Sequence, residues 1–152
     1  MEFDRIDKKI LNLLQENSKI TTRQLSLKLN LSTTAIYERV KKMERTGVIE
    51  KYIALLNRKS LGRELMVFTH IKLERHSQYN IHDFESKITL FEEVHECFHI
   101  SGDYDYILKM TFSDMDEYRN FIVTKLSSIP SIGSSHSIFV INELKNEVGF
   151  EL

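Results

Sequence analysis

From Asp4 to about Glu16 apolar residues recur at Ile6, Ile10, Leu13 and Leu14, while Lys8, Lys9, Asn12 and Glu16 fall off that stripe. The spacing predicts an amphipathic helix, with Asp4 as its cap and Phe3 placed to staple the first turn. Thr21-x-x-Gln24 has the spacing of a capping box and opens a short second helix through Leu25, Leu27 and Leu29 to about Asn30. Ser32 then caps a third helix from Thr33 to about Thr46, stopped by Gly47. Two short helices joined by a tight turn make a helix-turn-helix. Val48 to Ala54, rich in β-branched and aromatic residues, is expected as a small wing strand.

On the third helix Ile36, Val40 and Met43 lie within about 60° of one another, opposite Thr34, Glu38, Lys41 and Arg45. The polar face suits a DNA groove. Ser32, Thr33, Thr34, Tyr37 and Glu38 are candidates for the base edges and phosphates at its leading end, and Arg39, Lys41, Lys42 and Arg45 for phosphate neutralisation.

Beyond residue 64 the periods alternate. Leu65–Leu73 reads as a strand, and Asn80 is expected to cap a helix carrying Ile81, Phe84, Ile88 and Phe91. A strand follows at Val94–Ile100, Gly102-Asp103 marks a turn, and Tyr104–Phe112 alternates as a third strand. Another helix begins at Ser113 or Asp114, carries Met115, Tyr118, Ile122 and Leu126, and ends before Pro130; a last strand is expected from Ser135 to about Leu144. The order βαββαβ predicts an α+β fold of ferredoxin-like type, its sheet covered by helices on one face, with a second copy expected on the other. The domains are therefore 1–52, a winged helix-turn-helix; 53–64, a linker strand; and 65–152, the βαββαβ domain.

Charge divides the chain in the same way. Residues 1–60 hold 13 Lys+Arg against 7 Asp+Glu, a balance of +6, and residues 61–152 hold 8 against 15, a balance of −7, giving the overall −1. A basic head and an acidic body fit separate tasks. The single cysteine, Cys97, excludes a disulfide framework and a multi-cysteine zinc site, and neither metal nor cofactor is expected. No apolar run spans a bilayer or resembles a signal peptide, so a cytoplasmic protein without a membrane partner is expected.

Several segments resemble the Lrp/AsnC family of leucine- and asparagine-responsive regulators over essentially the whole chain. These are Phe3-Asp4-Arg5-Ile6-Asp7 with Ile10-Leu11, Leu31-Ser32-x-Thr34 leading into Glu38-Arg39-Val40-x-x-Met43-Glu44-x-x-Gly47, and Ser101-Gly102-Asp103-Tyr104-Asp105-Tyr106. The resemblance implies double-stranded DNA as one partner and an amino-acid effector bound between subunits as another. It also implies homodimers that assemble further, as octamers in many members. By position, it assigns the effector to Ser101, Gly102, Asp103, Tyr104 and Asp105, together with Ser135, His136 and Ser137, the two serines standing where many relatives have Thr-x-Thr. The same architecture includes siroheme decarboxylases. Six scattered histidines and no Gly-rich phosphate loop, nucleophile elbow or HExxH motif make an enzyme the weaker reading.

Overall fold

A computed structural model describes residues 3–146 and 149–152. Contacts divide it into two units: a head formed by the residues up to Leu55 with the segment from Lys145 onward, and a body from Leu56 to Leu144. The domain plan carried the body to Leu152. In the structure the chain end returns to the head, where Gln15 brackets Phe150 through two bonds: its Nε2 donates to Phe150 O and its Oε1 accepts from Phe150 N, each at 3.0 Å.

The head contains α1 (Arg5–Glu16), α2 (Thr22–Leu29) and α3 (Thr33–Arg45). Asp4 caps α1 by accepting from Ile6 N and Asp7 N, and Asp7 closes a reciprocal capping box. Thr21 and Gln24 do the same for α2, which ends at Asn30 in a left-handed conformation (φ 54°). Ser32 caps α3 through Ala35 N, and the helix closes with Gly47 at φ 73° while Val48 N donates back to Met43 O, a Schellman ending. Ile10, Leu25, Ile36 and Met43 form the buried centre, with Phe3, Leu14, Val40 and Ile49 packed on it. Leu27, expected among the packing leucines of α2, is 76% exposed, because residues two apart cannot share a helix face.

The expected wing strand does not form. Residues 50–57 have no ladder partner among the described residues, and Leu55 and Leu56 are 66% and 67% exposed. A strand needs a neighbour to accept its N–H groups, and this segment meets none among the described residues.

The body is a four-stranded antiparallel sheet in the order β2-β3-β1-β4, formed by β1 (Leu65–Leu73), β2 (Val94–His99), β3 (Tyr106–Phe112) and β4 (Ile132–Phe139). Helices α4 (Gln78–Ile88) and α5 (Met115–Thr124) complete the βαββαβ order. The core joins Val67, Ile71 and Leu73 of β1, Tyr106, Leu108, Met110 and Phe112 of β3, Phe84 and Ile88 of α4, and Phe121 of α5. Three expected limits move. Helix α4 is capped by Ser77, which accepts from Asn80 N, so Asn80 lies inside the first turn. Strand β3 starts at Tyr106 instead of Tyr104. Strand β4 runs Ile132–Phe139 instead of 135–144; its neighbour β1 begins at Leu65, the bond from Val140 N to Met66 O is near the limit of that pairing, and Ile141 and Leu144 stand in solvent.

Cross-strand partners define the uncovered face. Phe98 pairs with Ile107, Ile107 with His70, and His70 with His136; the next row runs Glu96, Lys109, Phe68, Ile138. Phe98 and Ile138 are 50% and 45% exposed there. Apolar side chains surround one ion pair, Lys109 Nζ to Glu96 Oε1 at 2.6 Å.

Candidate DNA-binding helix and effector turn

Helix α3 presents Thr33, Thr34, Tyr37, Glu38, Lys41, Lys42 and Arg45 to the outside, all exposed, whereas Ile36 and Met43 are buried beneath them. Ser32 is also exposed, but its hydroxyl is engaged as the cap. Arg39 departs from its expected place. Its Nη1 donates to Asp4 Oδ2 at 2.7 Å and Asp7 Oδ1 at 2.6 Å, which ties α3 to the start of α1. Those bonds, to Asp7 first and then Asp4, raise the guanidinium pKa, and Asp4 is lowered by the Asp7 backbone bond and then by Arg39. Arg39 thus serves the fold of the head, and the outward cations are Lys41, Lys42 and Arg45.

In the body the residues assigned to the effector separate into groups. Ser101, Gly102 and Asp103 form an exposed turn in which Gly102 takes φ 128°, a conformation that side chains disfavour. Tyr104 stacks toward the open sheet face, its ring centroid 5.0 Å from His70 and 6.5 Å from His136. Ser135 and Ser137 pair with Ile71 and Thr69, which puts them on the opposite, helix-covered face. The Ser137 hydroxyl is bonded to that of buried Thr69 at 2.8 Å.

Asp105 is engaged internally. Its Oδ2 accepts from Leu73 N at 2.7 Å, its Oδ1 meets His76 Nε2, and its backbone joins Ile71 O and Ile100 N. Burial opposes its charge, yet the bonds from His76 and the Leu73 amide outweigh burial and hold its pKa below the usual carboxylate value. This carboxylate therefore pins the end of β1 to the start of β3.

The sequence reading missed His70 and His76. Alternation along β1 puts His70 beside Phe68 on the open face, a signal that was readable, but its pairing with His136 depends on the β1–β4 register. Among the described residues, buried His70 Nδ1 has no hydrogen-bond partner. Among the described residues, no group of three or more His, Cys, Asp or Glu converges as a metal site, and no helix is long and apolar enough to cross a membrane.

Residues 3–50 match the family described as winged helix-turn-helix DNA-binding, and residues 66–150 match the Lrp/AsnC ligand binding domain. The chain belongs to the Lrp/AsnC family. One relative in that family, the leucine-responsive regulatory protein of Haemophilus influenzae, is 43% identical over 143 residues, covering 94% of this chain and 86% of that one. The Escherichia coli K12 protein of the same name is 38% identical over 144 residues, covering 95% and 88%. A Neisseria meningitidis transcriptional regulator solved as an L-Met complex superposes with a TM-score of 0.94 at 32% identity, covering 98% and 96%. This Lrp/AsnC protein is accordingly a DNA-binding transcriptional regulator with an effector-binding domain, and its relatives are regulators rather than enzymes. The decarboxylase alternative falls with that.

Proposed function

We propose that the protein binds duplex DNA through α3 as a dimer and that an amino acid, bound by the body near the 101–104 turn where subunits meet, adjusts DNA binding or assembly. The observation that carries the effector class is the likeness, along nearly the whole chain, to a regulator solved with L-Met. Within this chain, the exposed Gly102 turn offers backbone groups and Asp103 a carboxylate for a zwitterion, and the Tyr104–His136 stack offers an apolar wall. Thr33, Thr34, Tyr37 and Glu38 supply contacts at the leading end of α3, and Lys41, Lys42 and Arg45 neutralise phosphates. Two copies of α3 would enter successive major grooves about 34–36 Å apart. The site of action of such a regulator is the cytoplasm.

The test is fluorescence anisotropy on the DNA upstream of the protein's own gene, titrated with L-methionine, L-leucine and the other amino acids at fixed salt. One or more amino acids should move the midpoint about tenfold, which needs only about 1.4 kcal/mol of coupling. Tyr104→Ala should raise the amino-acid concentration required at least about tenfold, since one stacking wall is removed. No DNA binding would end the regulator mechanism, and DNA binding indifferent to every amino acid would end the effector class.

A second copy of the chain is proposed to cover the open sheet face, whose Phe98, Ile107, Phe68 and Ile138 alternate with polar neighbours. Ile107→Glu would set an unpaired charge in that contact at a cost of several kcal/mol. Sedimentation should then show a monomer at micromolar concentration, and an unchanged mass would place the contact elsewhere.

A further inference from the structure

Glu44 lies three residues beyond Lys41 on α3, and its carboxylate is divided between two elements. Oε2 accepts from Lys41 Nζ at 2.7 Å, and Oε1 accepts from the Tyr52 hydroxyl at 3.0 Å. Lys41 Nζ also stands 5.8 Å from the centre of the Tyr37 ring. An i,i+3 lysine–glutamate pair on a helix surface is common and contributes only tenths of a kcal/mol to stability. Tyr52 changes its meaning. It comes from the segment after the Gly47 stop and fixes the carboxylate from outside the helix, at the edge of a groove of about 260 Å³ that Leu14, Ile20, Leu25 and Val40 also line.

The charges are settled at neutral pH. The bond from Lys41, assisted by Tyr52, holds Glu44 below the usual carboxylate range, and the bond to Glu44 raises Lys41. Burial, then Glu44, pushes the Tyr52 hydroxyl up to about 12, so it remains a donor. In the free protein Lys41 is therefore already paired with a fixed carboxylate.

We propose that Glu44, positioned by Tyr52, limits non-specific DNA binding by making Lys41 exchange a carboxylate for a phosphate instead of adding a full positive charge to the interface. The inference rests on the reading of Lys41 as a phosphate ligand. Its physical basis is the sequence-independent part of DNA affinity, which grows with each phosphate neutralised and each counterion released. An acidic residue clamped beside a phosphate-facing lysine reduces that part on every DNA sequence.

The experiment measures affinity for a random-sequence duplex between 50 and 300 mM salt, with thermal melting to confirm that each variant is folded. Glu44→Gln keeps an acceptor for Tyr52 and should tighten binding about tenfold at the low-salt end, while steepening the log K against log[salt] slope by about 0.9. Tyr52→Phe should steepen the slope by a smaller amount. In the Glu44→Gln background Lys41→Met should remove that increment of about 0.9, whereas in the parent protein it should change the slope little. If Lys41→Met flattens the slope but Glu44→Gln leaves it unchanged, the restraint is refuted and the phosphate contact stands. If Lys41→Met changes nothing in the Glu44→Gln background either, the phosphate reading fails and the inference with it. If Glu44→Gln acts equally without Lys41, the carboxylate repels phosphate directly and the exchange is refuted.

Discussion

Arg39→Ala should destabilise the head before it removes any contact to DNA. The guanidinium joins α3 to Asp4 and Asp7 at the start of α1, and the Asp7 side chain is only 13% exposed. Removing the cation leaves that carboxylate short of its charged partner, and hydrogen bonds to charged groups contribute about 1.5–3 kcal/mol. The Asp4 bond counts for less because that side chain is half exposed. A loss of about 2 kcal/mol should lower the melting temperature of so small a unit by roughly 10 °C. Well below that transition, the salt dependence of DNA binding should be that of the parent protein. A flattened slope with an unchanged melting temperature would return Arg39 to the DNA interface.

Asp105→Ala should unsettle the body to a similar degree, because it leaves the Leu73 amide without its acceptor and His76 without its partner. Loss of one partner from a buried bond costs about 1–3 kcal/mol. Asp105→Asn tests the charge more gently. The folded carboxyl has a pKa below the 3.8 of the free side chain. Its ionised form is thus stabilised by folding, a contribution complete above about pH 5 and lost as the pH falls through the depressed folded value. The stability gap between the parent protein and Asp105→Asn should narrow as the pH falls below 3.8. Urea melts at stepped pH would read it, and a gap that stays constant to pH 2 would deny the carboxylate this role. Either variant would blur an effector titration, so Tyr104 is the cleaner probe of the turn.

Signals that act within one turn of helix were legible before any tertiary contact was known. Asp4, Thr21, Ser32 and Gly47 end their helices as the sequence predicts, since caps bond residues two to four positions away. Where two good caps stand three apart, as at Ser77 and Asn80, local chemistry leaves both open, and here the first captures the amide of the second. Limits set by a partner were not legible. The end of β4 depends on where β1 begins, and residues 50–57 carry the composition of a strand without a neighbour to pair with.

The candidate sites follow the same rule. Outward residues of α3 could be named from helical period alone, but Arg39 reads as one more cation until Asp4 and Asp7 are brought to it across the head. Asp105 resembles a ligand group for the same reason: its partners, Leu73 and His76, lie about thirty residues earlier in the chain. Ser135 and Ser137 were grouped with His136 by adjacency, although successive residues of a strand face opposite ways.

The bracket between Gln15 and Phe150 belongs to a discontinuous unit, a head assembled from two separated segments of one polypeptide. During synthesis α1, α2 and α3 are made well before Phe150, which completes their surroundings. At about 5–20 residues per second the delay is on the order of 5–20 s, far longer than a helix needs to form. The head is thus finished only after the whole of the body has been made.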